Sequence, residues 1–182
     1  MIDHSITESA LIDKCLAGDQ QALRALYDIH GARVYCLALR LTGSAADAED
    51  IVQDAFLRAF GALGRFRRES KFSTWLYRIV LNRCRDLLAT RNRRETVTDE
   101  QWEPNAEAAP EGPDSAEKNR LQLALSRLPE GMREVLIMHD VLGMEHEEIA
   151  QSLKVNAGTS KSQLHKARAK MREYLSGKGG SA

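Results

Sequence analysis

The chain has 182 residues, 43% hydrophobic and 5% aromatic, which allows one domain or two small helical ones. No apolar run approaches the roughly 18 residues that span a bilayer. The amino terminus, MIDHSITES, is too polar for a signal peptide, so a cytoplasmic protein without membrane insertion is expected. The 26 basic and 26 acidic residues cancel, and this neutrality, taken whole, argues against nucleic-acid binding.

The charges are unevenly distributed along the chain. Residues 1–94 carry 15 basic and 11 acidic side chains, and residues 118–182 carry 11 basic and 7 acidic ones. Residues 95–117 between them carry 8 acidic side chains and no basic one. Two mildly basic segments therefore flank an acidic one, and nucleic-acid binding stays open for each of them.

Apolar residues recur at helical spacing through the first 94 residues, and no strand-like alternation appears, so an all-α fold is predicted. A short helix ends near Gly18, and Asp19 caps a long helix that stops at Gly43. Ser44 is positioned to cap the next helix, and Ser70 or Ser73 the one after it. The predicted helices cover residues 9–16, 20–41, 45–62 and 72–93, enough for a compact four-helix domain.

The third of these helices carries an acidic face. Its members fall together at helical spacing and are Asp47, Asp50, Gln53 and Asp54. Carboxylates in a first turn stabilise the helix dipole, which accounts for Asp47 but not for Asp54, about ten residues past the cap. The face suits a positively charged partner.

A basic surface follows directly. The loop at residues 64–70 holds three arginines around one aromatic ring, Phe66, which suits a phosphate backbone and an unstacked base. The next helix extends this surface with Arg78, Asn82 and Arg85. Trp75, beside Leu76 and Ile79, is more readily explained as a core residue than as a base-stacking one.

Residues 95–116 contain three prolines and no apolar period, and are predicted to be a flexible acidic linker. Trp102 is its one large apolar residue, either loosely exposed or an anchor for a neighbouring surface. A second helical domain is predicted over residues 117–182, with helices at 117–127, 130–142, 145–153 and 157–175.

The end of this second domain has the proportions of a helix-turn-helix: a short helix, a turn at Val155–Gly158, and a longer basic helix beginning near Thr159. Ser160 and Leu164 are predicted to face its core. No acidic residue occurs between Ala150 and Arg172. A solvated surface helix would normally mix signs, so DNA contacts are favoured.

Two stretches resemble sigma factors of the small, two-domain extracytoplasmic-function (ECF) group. D-A-E-D-I-V-Q-D-A-F followed by F-R-x-E-S-K-F-S-T-W-L-Y-R-I-V-x-N is similar to sigma region 2, over roughly residues 11–94. L-P-x-x-x-R-x-V, G-x-x-x-x-E-I-A and G-T-x-K-S-x-L-x-K-A-R are similar to region 4. The resemblance implies an initiation factor with a region 2 domain at 1–94, a linker at 95–116 and a region 4 domain at 117–182.

The resemblance also implies roles for individual residues. Binding to the coiled coil of the largest subunit of core RNA polymerase would involve Asp47, Asp50, Gln53, Asp54, Phe56 and Phe60, although both phenylalanines are equally explained as core. Recognition and melting of the −10 element would involve Arg65, Phe66, Arg67, Arg68, Ser70, Lys71, Arg78, Asn82 and Arg85. Reading of the −35 element would involve Thr159, Lys161, Ser162, Gln163, His165, Lys166 and Arg168.

Two of these positions depart from the family pattern: Ser160 replaces a β-branched residue and Gln163 an arginine. Glutamine can bind adenine bidentately, so a base preference that differs from the family norm is expected. Further partners implied by the resemblance are the polymerase flap, promoter DNA and an anti-sigma factor.

Other function classes find less support. The five histidines are scattered without metal-ligand spacing, and no phosphate-binding glycine loop or nucleophile motif is present, so no metal, cofactor or enzymatic activity is expected. Cys15, Cys36 and Cys84 are interpreted as reduced, buried thiols. A helix-turn-helix regulator that binds operators without polymerase and a helical adaptor that binds only protein remain as alternatives.

Overall fold

The computed structural model describes residues 8–95 and 115–176, and within these ranges the chain is helical and has no strand. The predicted linker at 95–116, Trp102 included, lies outside the described residues apart from its two ends. The N-terminal unit contains α1 (Glu8–Leu16), α2 (Gln20–Thr42), α3 (Ala45–Gly61) and α4 (Phe72–Glu95). The C-terminal unit contains α5 (Ser115–Ser126), α6 (Glu130–Leu136), α7 (His146–Leu153) and α8 (Ala157–Leu175).

Helix boundaries in the N-terminal unit follow from polar caps in the sequence. The Asp19 carboxylate accepts hydrogen bonds from the backbone N–H of Gln21 and Ala22, at 2.8 and 3.2 Å, and starts α2. Gly43 ends α2 with φ +73°, a conformation that costs glycine little, and its N–H donates to the carbonyl of Leu39. These caps confirm the predicted ends of the long helix.

The core of the N-terminal unit lies where α2, α3 and α4 meet. Large side chains from α2 and α4, such as Leu26, Leu37 and Leu76, are fully buried. The buried side of α3 alternates small and large residues: Ala55 and Ala59 are completely buried, and Ile51 and Phe56 are 4% and 3% exposed. Burying each large aliphatic side chain contributes about 1.5–3 kcal/mol to folding.

The C-terminal unit differs from the sequence prediction between residues 130 and 142. A regular α-helix ends at Leu136, and Ile137–Val141 forms a π-helical turn in which the N–H of Leu142 donates to the carbonyl of Ile137. The wider turn lets the adjacent residues Ile137 and Met138 both enter the core, where each is 0% exposed. Gly143, with φ +68°, then closes the segment.

The helix-turn-helix is formed by α7 and α8. Glu145 and Glu148 make a reciprocal capping box at the start of α7. Asn156 caps α8 by accepting a 2.6 Å hydrogen bond from the N–H of Thr159, so α8 begins at Ala157, two residues earlier than Thr159. Leu164, Ala167 and the other core-facing residues of α8 pack on α6 and α7.

The two units pack against each other. Helix α4 contacts α7, and α2 contacts α5 and the π-helical turn. A carboxamide hydrogen bond of 3.2 Å joins Gln122 Nε2 to the backbone carbonyl of Arg40. Charged pairs across the same boundary, described below, link α4 to α6 and the residue before α4 to α7.

Candidate functional surfaces

The exposed face of α8 has the chemistry predicted for DNA contact. Five of the seven predicted −35 residues are exposed, namely Lys161, Ser162, His165, Lys166 and Arg168. On the opposite side Ser160 is 0% and Leu164 4% exposed, as the helical spacing predicts. From Lys161 to Arg168 the helix therefore presents a face with donors and cations and without a carboxylate of its own, which suits phosphates and base edges in a groove.

Two predicted −35 residues are less accessible. Thr159 is half-buried beside the Asn156 cap, and Gln163 is half-buried with a buried Oε1 that has no hydrogen-bond partner among the described residues. Gln163 lies at the edge of the exposed face rather than at its centre. Because Oε1 is buried, the amide nitrogen of Gln163 is better placed than the oxygen to contact a ligand in solvent.

A chain of polar contacts connects the buried start of α8 with its exposed side. Ser160 Oγ lies 2.9 Å from Nδ1 of His146, and the ring of His146 stacks on that of His139 with centroids 4.8 Å apart. His139 Nδ1 lies 2.8 Å from Asp140, whose carboxylate accepts hydrogen bonds from Arg168 at 2.5 and 3.0 Å. The hydrogen bond from Arg168 holds the pKa of Asp140 below its ordinary value. The predicted −35 residue Arg168 is thus already paired with a carboxylate, that of Asp140.

The predicted acidic face of α3 divides into two parts. Asp47 is paired with Arg91 of α4 at 2.5 Å, and Asp54 is paired with Arg58 at 2.8 Å and with Arg83 of α4. Burial would raise the pKa of Asp54, but the hydrogen bond and charge of Arg58 together with Arg83 lower it below its ordinary value. These two carboxylates hold α3 to α4 as well as facing solvent.

Asp50 and Gln53 form the open part of the acidic face. Both are exposed, neither makes an ion pair or side-chain hydrogen bond within residues 8–95 and 115–176, and both border a cleft of about 730 Å³ between α2 and α3. Leu57, 69% exposed, continues the same side of α3. A carboxylate beside an exposed leucine and a cleft suits a basic, amphipathic helix of another protein.

The cleft also involves residues that the sequence analysis did not select. Tyr27, Gly31 and Tyr35 line its α2 side, at spacings of four residues. A Cβ at Gly31 would lie 3.5 Å from the ring of Tyr27, an ordinary van der Waals distance, so Gly31 packs directly beside that ring. This i, i+4, i+8 spacing is the sequence signal that would have indicated the cleft wall.

The two predicted polymerase-binding phenylalanines have structural roles. Phe56 is 3% exposed and Phe60 half-buried, with ring centroids 5.6 Å apart. Phe56 also packs on Tyr27, at 4.7 Å. Phe56 thus supports Tyr27, which lines the cleft, and Phe60 is the more accessible of the two phenylalanines.

The arginines of the basic loop point in different directions. Arg65 and Arg67 are exposed, and Arg67 lies 3.9 Å from Glu69. Arg68 adopts φ +59° and turns towards α1, where it bonds Ser9 at 2.8 Å and pairs with Asp13. Arg68 therefore fixes the loop to the fold, while the other two arginines are open to solvent.

Phe66 anchors this loop to α4. Its ring packs on Trp75 and Phe72, with centroids 5.1 and 5.8 Å apart. Trp75 is half-buried and packs on Phe72 as well, in agreement with its interpretation as a core residue. An unstacked base would meet the edge of this aromatic cluster rather than a free ring.

The remaining predicted −10 residues lie at the start of α4 and along it. Ser70 is half-buried, Arg78 is half-buried and Asn82 is exposed. Lys71 and Arg85 instead contact carboxylates of the C-terminal unit: Lys71 Nζ lies 2.8 Å from Glu148, and Arg85 lies 2.7 Å from Glu134. Periodicity gives no indication of these pairs, because the partners are far apart in the sequence.

Other kinds of site find no support in the part of the chain that the structure covers. There, no group of three or more histidine, cysteine or acidic side chains is arranged to hold a metal ion. Cys15 and Cys84 are buried and Cys36 is half-buried, and none forms a disulfide. No helix within residues 8–95 and 115–176 is long and apolar enough to cross a membrane.

Comparison with known proteins finds matches for both helical units. The family model Sigma-70 region 2 matches residues 26–94, and Sigma-70, region 4 matches residues 118–171. The ECF RNA polymerase sigma factor SigE of Mycolicibacterium smegmatis is 35% identical over 93% of this chain and 68% of its own length. The RNA polymerase sigma factor NccH of Alcaligenes xylosoxydans xylosoxydans is 35% identical over 96% of this chain and 97% of its own.

A solved structure shares the fold. The sigma factor RpoE from Bartonella quintana, crystallised in complex with the anti-sigma factor NepR, superposes with a TM-score of 0.75 at 24% identity. The match covers 84% of this chain and 96% of that one. Both helical units are therefore part of the shared architecture.

Proposed function

Because the chain belongs to the ECF group of the sigma-70 family, we propose that its two units divide the work of promoter recognition between them. The chain acts with RNA polymerase in promoter-specific initiation of transcription, and sigma factors are non-enzymatic initiation factors. What we assign is the surface used for each task. The N-terminal unit binds polymerase and the −10 element, and the C-terminal unit binds the −35 element.

The observation that carries this assignment is the exposed face of α8. Lys161, His165 and Lys166 are open to solvent on the second helix of a helix-turn-helix, while Leu164 and Ala167 are buried behind them. This is the geometry in which a recognition helix enters the major groove. On DNA binding, Arg168 either contacts a phosphate while paired with Asp140 or leaves Asp140 to bind the DNA.

The polymerase-binding surface is assigned to the open part of the acidic face. Asp50 and Gln53, with Leu57 and the cleft beside them, bind the coiled coil of the largest subunit. Asp47 and Asp54 contribute negative potential while holding α4. The C-terminal unit contacts the polymerase flap, and the whole complex works in the cytoplasm, where transcription takes place.

The −10 surface is assigned to the loop and α4. Arg65 and Arg67 are exposed and bind the DNA backbone, and Asn82 extends the surface along the helix. The edge of the Phe66–Trp75 cluster supports an unstacked base. An anti-sigma factor is a further partner, by analogy with the complex of RpoE with NepR.

A gel shift on promoter DNA with and without core polymerase tests this function. A sigma factor shifts its promoter strongly only with core enzyme. An operator-binding regulator would shift DNA equally well alone, and a helical adaptor would shift it in neither case; either result would contradict the assignment. The regulator is not favoured, since the region 2 match covers residues 26–94, from within α2 almost to the end of α4.

A further inference from the structure

The contact between the two units is made by carboxylates of the C-terminal unit on basic residues assigned to the −10 surface. Arg85 donates from Nε and Nη2 to the two carboxylate oxygens of Glu134, each at 2.7 Å. The Nε atom also lies 3.1 Å from Glu130. A two-point pair of this kind fixes orientation as well as distance, so α4 and α6 are held in one relative position.

Glu134 is unusual among the acidic residues because it is buried. Only 3% of its side chain is exposed, whereas 37% of the Arg85 side chain is exposed. A buried carboxylate is costly unless it is paired, and the pairing partner here comes from the other unit. Separating the units breaks this bidentate pair and lets water reach the carboxylate.

A second charged pair closes the other end of the contact. Lys71 Nζ lies 2.8 Å from Oε1 of Glu148, whose carboxylate also accepts a hydrogen bond from the backbone N–H of Glu145, the N-cap of α7. The hydrogen bond from Lys71 lowers the pKa of the Glu148 carboxyl. Lys71 is 70% exposed, so salt should weaken this pair readily.

We propose that Glu130, Glu134 and Glu148 form an acidic latch that holds the free chain closed and occupies Arg85 and Lys71. DNA phosphates and these carboxylates compete for the same two cations, so the −10 surface is complete only when the units separate. Binding to polymerase separates the two units. The masking of DNA contacts rests on the −10 surface proposed above, whereas the closed arrangement rests on the pairs themselves.

Zero-length cross-linking of the full chain tests the closed arrangement. A carbodiimide activates the Glu148 carboxylate, and the Lys71 amine displaces the resulting urea to leave an amide bond between the two side chains. Mass spectrometry should find the Lys71–Glu148 peptide pair at low salt, and its yield should fall steeply towards about 1 M salt. Absence of this pair at low salt would overturn the latch without the need for any variant.

The variant Glu134→Gln then tests whether the buried pair holds the contact. Gln keeps one hydrogen bond to Arg85 but removes the charge, and Lys71 and Glu148 stay unaltered. The Lys71–Glu148 yield should fall on the order of tenfold, as expected for the loss of a charged hydrogen bond. Glu173→Gln, an equal charge change at an exposed site on α8, should leave the yield unchanged. Equal yields in both variants would overturn the latch.

DNA binding without polymerase tests the masking. The probe is a fluorescein-labelled single strand of mixed sequence, and the variant is Glu134→Gln with Glu148→Gln, which keeps the capping box. The control, Glu147→Gln with Glu173→Gln, has the same net charge and leaves the latch intact. We expect the latch variant to bind on the order of tenfold tighter than the control, as for regaining a charge-assisted contact.

Equal affinity of the latch variant and the control would overturn the masking. Promoter-specific transcription by core polymerase with the unaltered chain is a separate measurement. If the latch variant binds the probe tighter but the unaltered chain starts no transcription at promoters, the latch stands and the proposed function fails.

Discussion

Ser160 is fully buried at the start of α8, and its hydroxyl is satisfied by Nδ1 of His146, 2.9 Å away on α7. A buried hydroxyl without a partner would be costly, so the histidine is what allows serine at this core position. The same contact fixes the relative position of the two helices of the helix-turn-helix. Serine at a position where the family has a β-branched residue is therefore matched by a polar partner.

This contact predicts a pH dependence of stability. Burial lowers the pKa of His146, and electrostatic interaction with His139 and Lys161 lowers this pKa further, whereas Glu147 and Glu145 act to raise it. As the pH falls through about 6.5, this histidine takes up a proton in the unfolded chain before it does so in the folded one. Neutral His146 therefore contributes to the stability of the fold above about pH 6.5, and this contribution is lost as the pH falls through the lowered pKa of the folded state. The melting temperature should rise from pH 5.5 to pH 7.5.

The variant His146→Asn isolates this effect. Asparagine places an amide nitrogen near the position of Nδ1 and has no proton to take up in this range. Its melting temperature should depend less on pH than that of the parent chain, whereas His165→Asn, at an exposed site, should behave like the parent. Parallel melting profiles for all three proteins would show that His146 is not the titrating group.

Thiol reactivity should follow burial. Burial raises the pKa of Cys84 to about 12, with the nearby Glu134 carboxylate adding to the shift. Cys15 is also buried, and its pKa is raised by burial and by Asp19. Because the thiolate is the reactive form, iodoacetamide at pH 8 should modify Cys36 first and Cys84 only when the chain unfolds. Peptide mapping after a timed pulse measures the order, and early labelling of Cys84 would contradict its burial.

Several features of the fold were predictable from local signals. Asp19 and Gly43 mark the ends of α2 because capping depends on residues two to four positions away. The buried and exposed faces of α8 follow from a period of 3.6 residues, which places Ser160 inside and Lys166 outside. Each of these features depends only on residues that are close together in the sequence.

The features that were not predicted depend on contacts between distant parts of the chain. Arg85 pairs with Glu134, 49 residues away, and Arg68 bonds Ser9, 59 residues away. Charge and spacing placed both arginines on one basic surface, but which carboxylate each one meets is decided by how the helices pack. The sequence therefore indicated which basic residues make up the proposed −10 surface, but not which of them are paired with side chains of other helices.

The two parts of the acidic face should respond differently to charge reversal. Asp50→Lys removes no ion pair found in the described residues, so the free energy of unfolding should change by no more than about 0.5 kcal/mol. Its affinity for core polymerase should fall about tenfold or more, equivalent to about 1.4 kcal/mol. Asp54→Lys should weaken binding and also destabilise the chain, because it faces Arg58 and Arg83.

Co-purification with polymerase and thermal melting distinguish the two variants. Glu173→Lys, a reversal of equal size on α8, is the control and should retain polymerase binding. If Asp50→Lys binds polymerase as well as the control does at moderate salt, the cleft side of α3 is not the contact surface.

Lys166 gives the most direct test of the recognition face. It is exposed opposite Leu164 and Ala167, and no ion pair or hydrogen bond to it is found in residues 8–95 and 115–176. Lys166→Ala should therefore leave the free energy of unfolding within about 0.5 kcal/mol of the parent value. Lys14→Ala, at an exposed site on α1, removes the same charge far from α8 and serves as the control.

Promoter binding by the polymerase complex should weaken in Lys166→Ala and not in Lys14→Ala. If Lys166 touches only phosphate, the loss should be similar for all −35 sequences, and the dependence of log affinity on log salt should be shallower by about 1. If it reads a guanine, the loss should be about 1–3 kcal/mol and confined to one base pair. Gln163 is half-buried with a buried Oε1, so it lies beside Lys166 at the edge of the exposed face. Gln163→Arg is therefore expected to change the base preference at a base pair other than the one that Lys166 contacts. Unchanged transcription from the cognate promoter after Lys166→Ala would place the DNA contacts on another side of α8.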